Sequence, residues 1–210
     1  LDQNNMIFYK KIASAYWELG DYNRAQFYYN IILEYDQFQT GDIFYYLGFI
    51  ANQNQEYNLA YDYFIYAREC GYSNILLYNQ LSYSLLQIKN YTELIPILHE
   101  GLYYHPNNYD LLYNLAISYY HLDLYDEALS IFNQYFIKNN NDLTAAYLMG
   151  VSYFKMQKYK SALYYLDLAN NNSDSEILHY LGSSYYELKN YSKAIRAFKK
   201  SLIINPKNEY

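Results

Sequence analysis

Apolar side chains recur along this chain at the spacing of amphipathic α-helices. Four of them stand at i, i+3, i+4 and i+7 and share one face of a predicted helix: Leu112, Leu115, Ala116 and Tyr119. Three more stand at i, i+4 and i+7 of a second helical pattern: Ala128, Phe132 and Tyr135. The short stretch His121–Tyr125 separates the two patterns. This part of the sequence therefore predicts two helices joined by a turn.

The same helix–turn–helix pattern occurs six times. A tyrosine marks each turn, and successive copies are 35, 34, 34, 34 and 32 residues apart: Tyr22, Tyr57, Tyr91, Tyr125, Tyr159 and Tyr191. A bulky apolar residue followed by a small one precedes each tyrosine, as in Leu115-Ala116 and Met149-Gly150. The small residue predicts a close approach of two helix backbones. The predicted repeats span residues 6–40, 41–74, 75–108, 109–142, 143–174 and 175–208.

This unit resembles the tetratricopeptide repeat (TPR), which is about 34 residues long and carries the motifs W-x2-L-G-x2-Y, A-x3-F and P. The sixth repeat matches well: Leu178 in the Trp place, Leu181-Gly182, Tyr185, Tyr191, Ala194, Phe198, Ser201 and Pro206. The resemblance implies an all-α, right-handed α/α superhelical solenoid of six TPR helix–turn–helix repeats. Since stacked repeats contact only their neighbours, we expect residues 1–210 to form a single TPR solenoid domain.

The middle repeats depart from the family pattern. Leu94 and Gly101 replace small alanines in the third repeat, and Tyr135 does so in the fourth. Pro96 falls near the start of a second helix, in its first turn or just beyond if Thr92 is the N-cap. We therefore expect irregular helix packing around the third and fourth repeats.

Composition excludes several classes of protein. The 21 acidic and 15 basic residues give a net charge of −6 without a basic run, so we expect no nucleic-acid binding. The single cysteine, Cys70, excludes a disulfide scaffold, and 34 tyrosines are too many for a disordered chain. No apolar run approaches the ~18–20 residues of a membrane span, so we expect no direct membrane insertion of this segment.

No signature of catalysis or metal binding is present in the sequence. The motifs GxxxxGK[ST], HExxH and GxSxG are absent, and the four histidines have no metal-like spacing. We therefore expect no enzymatic activity, no cofactor and no metal. No signal pattern precedes the first helix, and the chain starts at Leu1, so we expect a segment of a longer protein. The compartment stays undetermined, with the cytoplasm favoured.

The resemblance also implies which side chains meet a partner. In this family the first helix of each repeat lines a concave groove, and the matching residues here lie off the packing pattern: Tyr45, Phe49, Asn79, Tyr83, Tyr113, Asn114, Ile117, Tyr120, Tyr147, Phe154 and Tyr186. Tyrosine joins an apolar ring to a polar tip and binds at modest entropic cost. We therefore expect a protein–protein interaction scaffold, without catalysis, that binds a partner peptide or helix in this Tyr-rich groove. The alternative that tyrosine is simply the default aromatic of this chain stays open.

One known ligand class is not expected. TPR domains that hold the C-terminal carboxylate of heat-shock chaperones resemble one another in a Lys/Asn/Arg clamp on successive first helices. Lys10 matches one clamp position, but Ser14, Tyr46, Leu76 and Gln80 occupy the others. We therefore expect that the first three repeats do not bind a strongly acidic tail of a partner protein.

Other functions stay open: a structural assembly subunit that contacts partners through its ends and convex face, a substrate-recruiting region of a larger enzyme, or a site for a small hydrophobic molecule. The ends of a solenoid need polar capping, and nothing after Pro206 covers Ala194, Phe198 and Leu202. We expect either a longer native chain or a homo-oligomer through the uncapped C-terminal repeat. Charge is also uneven, with six basic and 15 acidic residues in 6–142 and nine basic and five acidic in 143–210. This uneven distribution of charge along the chain would orient a partner or favour head-to-tail association of copies.

Overall fold

The described part of the chain is helical throughout. The computed structural model describes residues 3–35, 40–170 and 174–206, and twelve helices occupy them. They form six consecutive pairs: α1 (Gln3–Glu18) and α2 (Tyr22–Leu33), α3 (Gly41–Gln53) and α4 (Tyr57–Glu69), α5 (Ile75–Gln87) and α6 (Tyr91–Tyr104), α7 (Tyr109–His121) and α8 (Tyr125–Phe136), α9 (Leu143–Lys155) and α10 (Tyr159–Ala169), α11 (Ser175–Glu187) and α12 (Tyr191–Ile204). Each pair coincides with one predicted repeat, so the all-α fold of six helix–turn–helix repeats is confirmed. Predicted repeat residues 36–39, 171–173 and 207–208 lie outside the described residues.

Two compact units make up the chain, Leu1–Pro106 and Asn107–Tyr210. The first contains the repeats of α1–α6 and the second those of α7–α12. Within each unit the two helices of a repeat pack together, and each repeat packs on the next. The single continuous solenoid over residues 1–210 stays a prediction. No helix among the described residues has the length and apolar character that crossing a bilayer requires.

A small residue on the first helix lets the two helices of each repeat come together. A methyl group added at Gly150 would lie 2.7 Å from Cγ of Leu166, and one added at Gly48 would lie 2.6 Å from the ring of Phe64. Alanine or serine, each fully buried, stands at the same place in three other repeats: Ala13, Ser82 and Ala116. The close approach predicted from the sequence is therefore confirmed.

The turn inside each repeat contains one residue in the left-handed backbone conformation, two positions before the turn tyrosine. The φ angle lies between 56° and 64° at five residues other than glycine: Gln55, Lys89, Asp123, Gln157 and Lys189. Gly20, at φ 72°, takes this place in the first repeat. A left-handed conformation costs a side-chain-bearing residue roughly 1–2 kcal/mol. The helices on both sides therefore impose the turn.

The substituted positions in the middle repeats are accommodated by local packing. Leu94 is fully buried, and the Tyr135 hydroxyl donates a 2.8 Å hydrogen bond to Asp142, the N-cap of α9. The N-cap of α6 is Asn90, whose side chain accepts from the backbone N–H of Glu93. Thr92, considered above as a possible cap, is instead the second residue of α6. Pro96 is consequently the sixth residue of α6, where its ring removes the backbone hydrogen bond to the carbonyl four residues earlier.

In the last repeat, α11 covers part of the apolar side of α12. Ala194 is 2% exposed, and the Phe198 ring lies 6.0 Å from that of His179 on α11. Contact with α11 covers these two residues from within the repeat, and the homo-oligomer through the uncapped C-terminal repeat stays a prediction. Leu202, by contrast, is 52% exposed.

Lengthening the side chain at the contact between paired helices is expected to destabilise the protein. We predict that Gly150→Leu lowers the free energy of unfolding by about 1–3 kcal/mol, because leucine overpacks the contact with Leu166. Leucine is itself a better helix former than glycine by nearly 1 kcal/mol, so any loss comes from packing. Urea unfolding measures the change. The exposed Ser161→Leu on α10 is the control, and equal midpoints for both variants would contradict the prediction.

Candidate functional site: the exposed side of the first helices

The residues predicted to form the groove are distributed over both units. Helices α3 and α5 of the first unit contain Tyr45, Phe49, Asn79 and Tyr83. Helices α7, α9 and α11 of the second unit contain the other seven: Tyr113, Asn114, Ile117, Tyr120, Tyr147, Phe154 and Tyr186. Within the units, α3 contacts α5 and α9 contacts α11, so first helices of successive repeats lie side by side.

Two of the predicted rings pack inside their own repeats. Tyr45 is only 6% exposed, and its ring lies 5.9 Å from Phe64 and 5.0 Å from Tyr72. Tyr113, at the same helix position, lies 6.3 Å from Phe132 and 5.1 Å from Tyr135. The expectation that burial does not explain these two residues is wrong, because their rings turn toward the second helix. Neither is part of the binding surface proposed below.

In the first unit, aromatic rings join the first two repeats. Trp17 at the end of α1 lies 4.5 Å from the ring of Tyr46 and 4.9 Å from that of Phe49. Tyr22, the first residue of α2, lies 5.1 Å from Trp17. The predicted groove residue Phe49 is therefore a contact between repeats. The sequence reasoning assigned no such role to Trp17 and Tyr46.

Between the second and third repeats the contact is polar. Asn52 is 3% exposed and donates a 3.0 Å hydrogen bond to the Gln80 side chain, while its oxygen accepts one of 2.8 Å from Ser84. Asn79 is partly buried, and its Oδ1 has no hydrogen-bond partner among the described residues. Tyr83 is 44% exposed and contacts the turn tyrosine Tyr57 at 5.9 Å. Tyr83 is thus the most open of the predicted residues in this unit.

The second unit presents a layer of aromatic rings on its first helices. The Tyr180 ring of α11 lies 5.3 Å from Phe154 and 6.3 Å from Tyr147, both on α9. We call the layer and its polar neighbours the unit-2 face; its residues are Asn114, Ile117, Tyr120, Tyr147, Phe154, Tyr180 and Tyr186. Tyr180 was missed from the sequence, although it stands at the same helix position as Tyr46. Most of these rings are partly buried, and Tyr186 is 57% exposed.

Burial holds the hydroxyls of this layer in their neutral form. Desolvation raises the pKa of Tyr120 to about 12. It also raises the pKa of Tyr147, and the neighbouring carboxylate of Glu176 acts in the same direction. Burial lowers the pKa of His179, which favours a neutral imidazole. Near neutral pH the tyrosines therefore act as hydrogen-bonding groups without charge.

A cleft opens beside Tyr147, between α9, α10 and α11. Its volume is about 260 Å³, and the lining is part apolar and part polar: Leu143, Thr144, Tyr147, Ala169, Asp174 and Ile177. Pockets for small organic ligands usually have volumes of about 300–1,000 Å³. This cleft is smaller, which favours one or two side chains of a peptide over a whole small molecule.

The described residues do not bring metal-binding side chains together. Within residues 3–35, 40–170 and 174–206, no group of three or more His, Cys, Asp or Glu side chains is placed to hold a metal ion. Cys70 is exposed at the end of α4 and lies outside the unit-2 face.

The family models that match this chain agree with the paired helices of the structure. Two tetratricopeptide repeat models match residues 8–38 and 175–208, and a model described as "Anaphase-promoting complex, cyclosome, subunit 3" matches residues 97–169. The chain belongs to the tetratricopeptide repeat family. No curated protein sequence matches this TPR chain.

Solved structures share the TPR fold. "MamA 41-end from Desulfovibrio magneticus RS-1" superposes with a TM-score of 0.72 at 14% identity, over 81% of this chain and 97% of that one. YrrB, described as "a TPR protein with an unusual peptide-binding site", gives a TM-score of 0.72 at 19% identity, over 85% of this chain and 92% of that one. At these identities the likeness shows the fold alone.

Because its tyrosines are buried, the protein is expected to lose stability as the pH becomes alkaline. Burial raises the pKa of Tyr45 and of Tyr120 to about 12, above the ordinary value of about 10. Tyrosines of the unfolded chain then lose their protons first. The stability that these neutral hydroxyls contribute is therefore complete below pH ~10 and is lost as the pH rises toward ~12.

Urea unfolding between neutral pH and pH ~11 tests this expectation. The urea concentration at the midpoint of unfolding should decrease once the pH exceeds ~10. The double variant Tyr45→Phe, Tyr120→Phe should lose less stability over the same pH interval. An equal loss in the double variant would show that other groups control the effect.

Proposed function

We propose that this TPR protein binds a segment of a partner protein across its unit-2 face and performs no catalysis there. The TPR fold itself supports a protein-interaction scaffold, and the structurally similar YrrB is described as having a peptide-binding site. The observation that carries the proposal is the packed aromatic layer of Tyr147, Phe154 and Tyr180, with an open cleft at its edge.

The packing of the rings prepares the surface for binding. Phe154 contacts both Tyr180 and the turn tyrosine Tyr159, at 5.3 and 5.6 Å, so its conformation is restricted before any partner arrives. Ordering a free side chain on binding costs about 0.5–1.5 kcal/mol, and this cost is small where the ring is already held. Aromatic residues in such positions are frequent hot spots of interfaces.

The chemistry of the face indicates the kind of segment that would bind. Apolar side chains of the partner would lie against the rings, and one would enter the cleft between Leu143 and Ile177. Asp174 lines that cleft, and Glu176 is the next acidic residue on α11. These carboxylates complement basic side chains or free N–H groups. The proposed partner segment is therefore apolar with a basic or hydrogen-bond-donating position.

Exposed rings of the face provide the test. Peptides selected from a random display library against the whole chain would serve as probes, with their affinity measured by fluorescence anisotropy. We predict that Tyr186→Ala and Phe154→Ala each weaken binding by about 2 kcal/mol or more, because each removes an aromatic ring of the binding face.

The matched control is Tyr164→Ala on α10, since Tyr164 is 67% exposed and lies outside the unit-2 face. Circular dichroism would confirm that all variants remain helical. If Tyr186→Ala and Tyr164→Ala had the same affinity for every selected peptide, the proposal for this face would be wrong.

Assembly into homo-oligomers is a second candidate function, favoured by apolar exposure on α12. Ile195, Leu202 and Ile203 are 55%, 52% and 79% exposed. Large apolar side chains in such a group are typical of interaction surfaces. We infer that this side of α12 associates with another copy of the chain.

Sedimentation over a range of protein concentrations tests the assembly. The weight-average mass should rise with concentration, and Leu202→Glu should return the protein to a monomer, because the charge would be desolvated in the contact. Tyr103→Glu on α6, at an 80% exposed site, is the control. A mass that stays monomeric at all concentrations would contradict this second function.

A further inference from the structure

We propose that a cleft between α10 and α12 binds an acidic amphipathic helix of a partner protein, on a surface separate from the unit-2 face. The two surfaces use opposite sides of α11. Tyr180 of the unit-2 face lies on one side, while Leu178, Leu181 and Tyr185 lie on the other at the i, i+3 and i+7 spacing of a single helix face. The proposal does not depend on the function proposed for the unit-2 face.

The cleft has an apolar floor and polar walls. Its volume is about 270 Å³, and Leu178 and Leu181 at its floor are each 3% exposed. One wall consists of Asp167 and Asn170 from α10. The other wall is the side of α12 that presents Lys193, Arg196, Ala197 and Lys200. An apolar side chain of a partner would fit the floor, with charged groups meeting the walls.

Positive charge dominates the lining. Lys193, Arg196 and Lys200 stand at i, i+3 and i+7, so all three lie along one face of α12. Among the described residues that line the cleft, Asp167 is the single carboxylate. Burial raises the pKa of Asp167, with Lys193 acting in the opposite direction. The cleft therefore carries excess positive charge in a protein whose net charge is −6.

One of the three cations is also held in place. The ammonium group of Lys193 lies 5.2 Å from the centre of the Tyr185 ring, a cation–π distance, and Tyr185 is part of the same cleft. Residues 188–206 contain five basic residues and no Asp or Glu, so no acidic residue of α12 neutralises this side. This row of cations along one helix face favours a ligand that presents several carboxylates at matching spacing.

An acidic helix meets these requirements better than a simple anion. The seven-residue interval from Lys193 to Lys200 corresponds to roughly 10 Å along the helix axis. Carboxylates at i, i+4 and i+7 of a partner helix would match that length. A phosphate ion or a nucleic-acid backbone would make no use of the apolar floor of Leu178 and Leu181, because neither has an apolar group to bury there.

A designed peptide tests the site directly. The probe is a fluorescein-labelled amphipathic helix with Glu at i, i+4 and i+7 and Leu on the adjacent face, and its binding to the whole chain is followed by anisotropy. We expect saturable binding that weakens with salt, and at least tenfold weaker binding by Arg196→Glu, because the reversal repels the carboxylates. Arg196→Ala should give a smaller loss, which separates lost attraction from repulsion.

The matched control is Lys199→Glu, which makes the same charge change on α12 but outside the cleft. That variant and Tyr186→Ala should bind the peptide as the unmodified chain does. A peptide with Gln in place of Glu should not bind, and a peptide with Lys in those places should bind Arg196→Glu better than the unmodified chain. Circular dichroism and urea unfolding would verify that the variants are folded.

Several results would overturn the proposal. Absence of saturable binding by the Glu peptide is one, and equal loss in Lys199→Glu and Arg196→Glu is another. Displacement of the peptide by inorganic phosphate or by a single-stranded oligonucleotide of equal charge would show that the cleft takes polyanions in general, which also contradicts the assignment to an acidic protein segment.

Discussion

The two helices of each repeat approach so closely that only a hydrogen atom, a methyl group or a hydroxymethyl group fits at the crossing point. Gly48, Ser82, Ala116 and Gly150 take this place in four successive repeats, and all are buried. The crossing fixes the rotation of the first helix about its own axis. That rotation in turn decides which of its residues face the second helix, which face the neighbouring repeat, and which remain accessible.

Most aromatic residues on the first helices serve stability and surface chemistry together. The ring of Tyr180 joins α11 to α9 through Phe154 and Tyr147, and the same rings form the accessible layer of the second unit. Helix α11 then separates two environments: tyrosines and carboxylates on one side, and an apolar floor beside lysines and arginine on the other. A single helix of this repeat therefore contributes to two chemically different surfaces. Their ligands would differ in charge, so both surfaces could be occupied at once.

Much of the fold could be predicted from the sequence because its signals are local. The small residue, the turn tyrosine and the apolar spacing all lie within one repeat, and α3, α5 and α7 begin at the first residues of their predicted repeats. The start of α6 was left open because Asn90 and Thr92 are both residue types that favour N-caps, and in the structure Asn90 follows the left-handed Lys89 and takes that place.

The candidate sites were harder to predict because they depend on contacts between segments. Tyr45 matches the family position for a groove residue, yet Tyr72, which follows α4, covers its ring. The basic cleft forms only where three helices come together. The sequence shows cations at i, i+3 and i+7 without nearby acidic residues, but it does not show that an apolar floor lies beside them. Residue periodicity indicates the face of a helix, whereas accessibility depends on what covers that face.

The left-handed turns carry a consequence for how the repeats can diverge. The same backbone conformation is adopted by glycine, glutamine, lysine and aspartate at Gly20, Gln55, Lys89 and Asp123, so the residue type does not determine the path of the chain there. Natural selection can therefore alter the electrostatic potential around each bend, residue by residue, while the scaffold of paired helices is inherited unchanged.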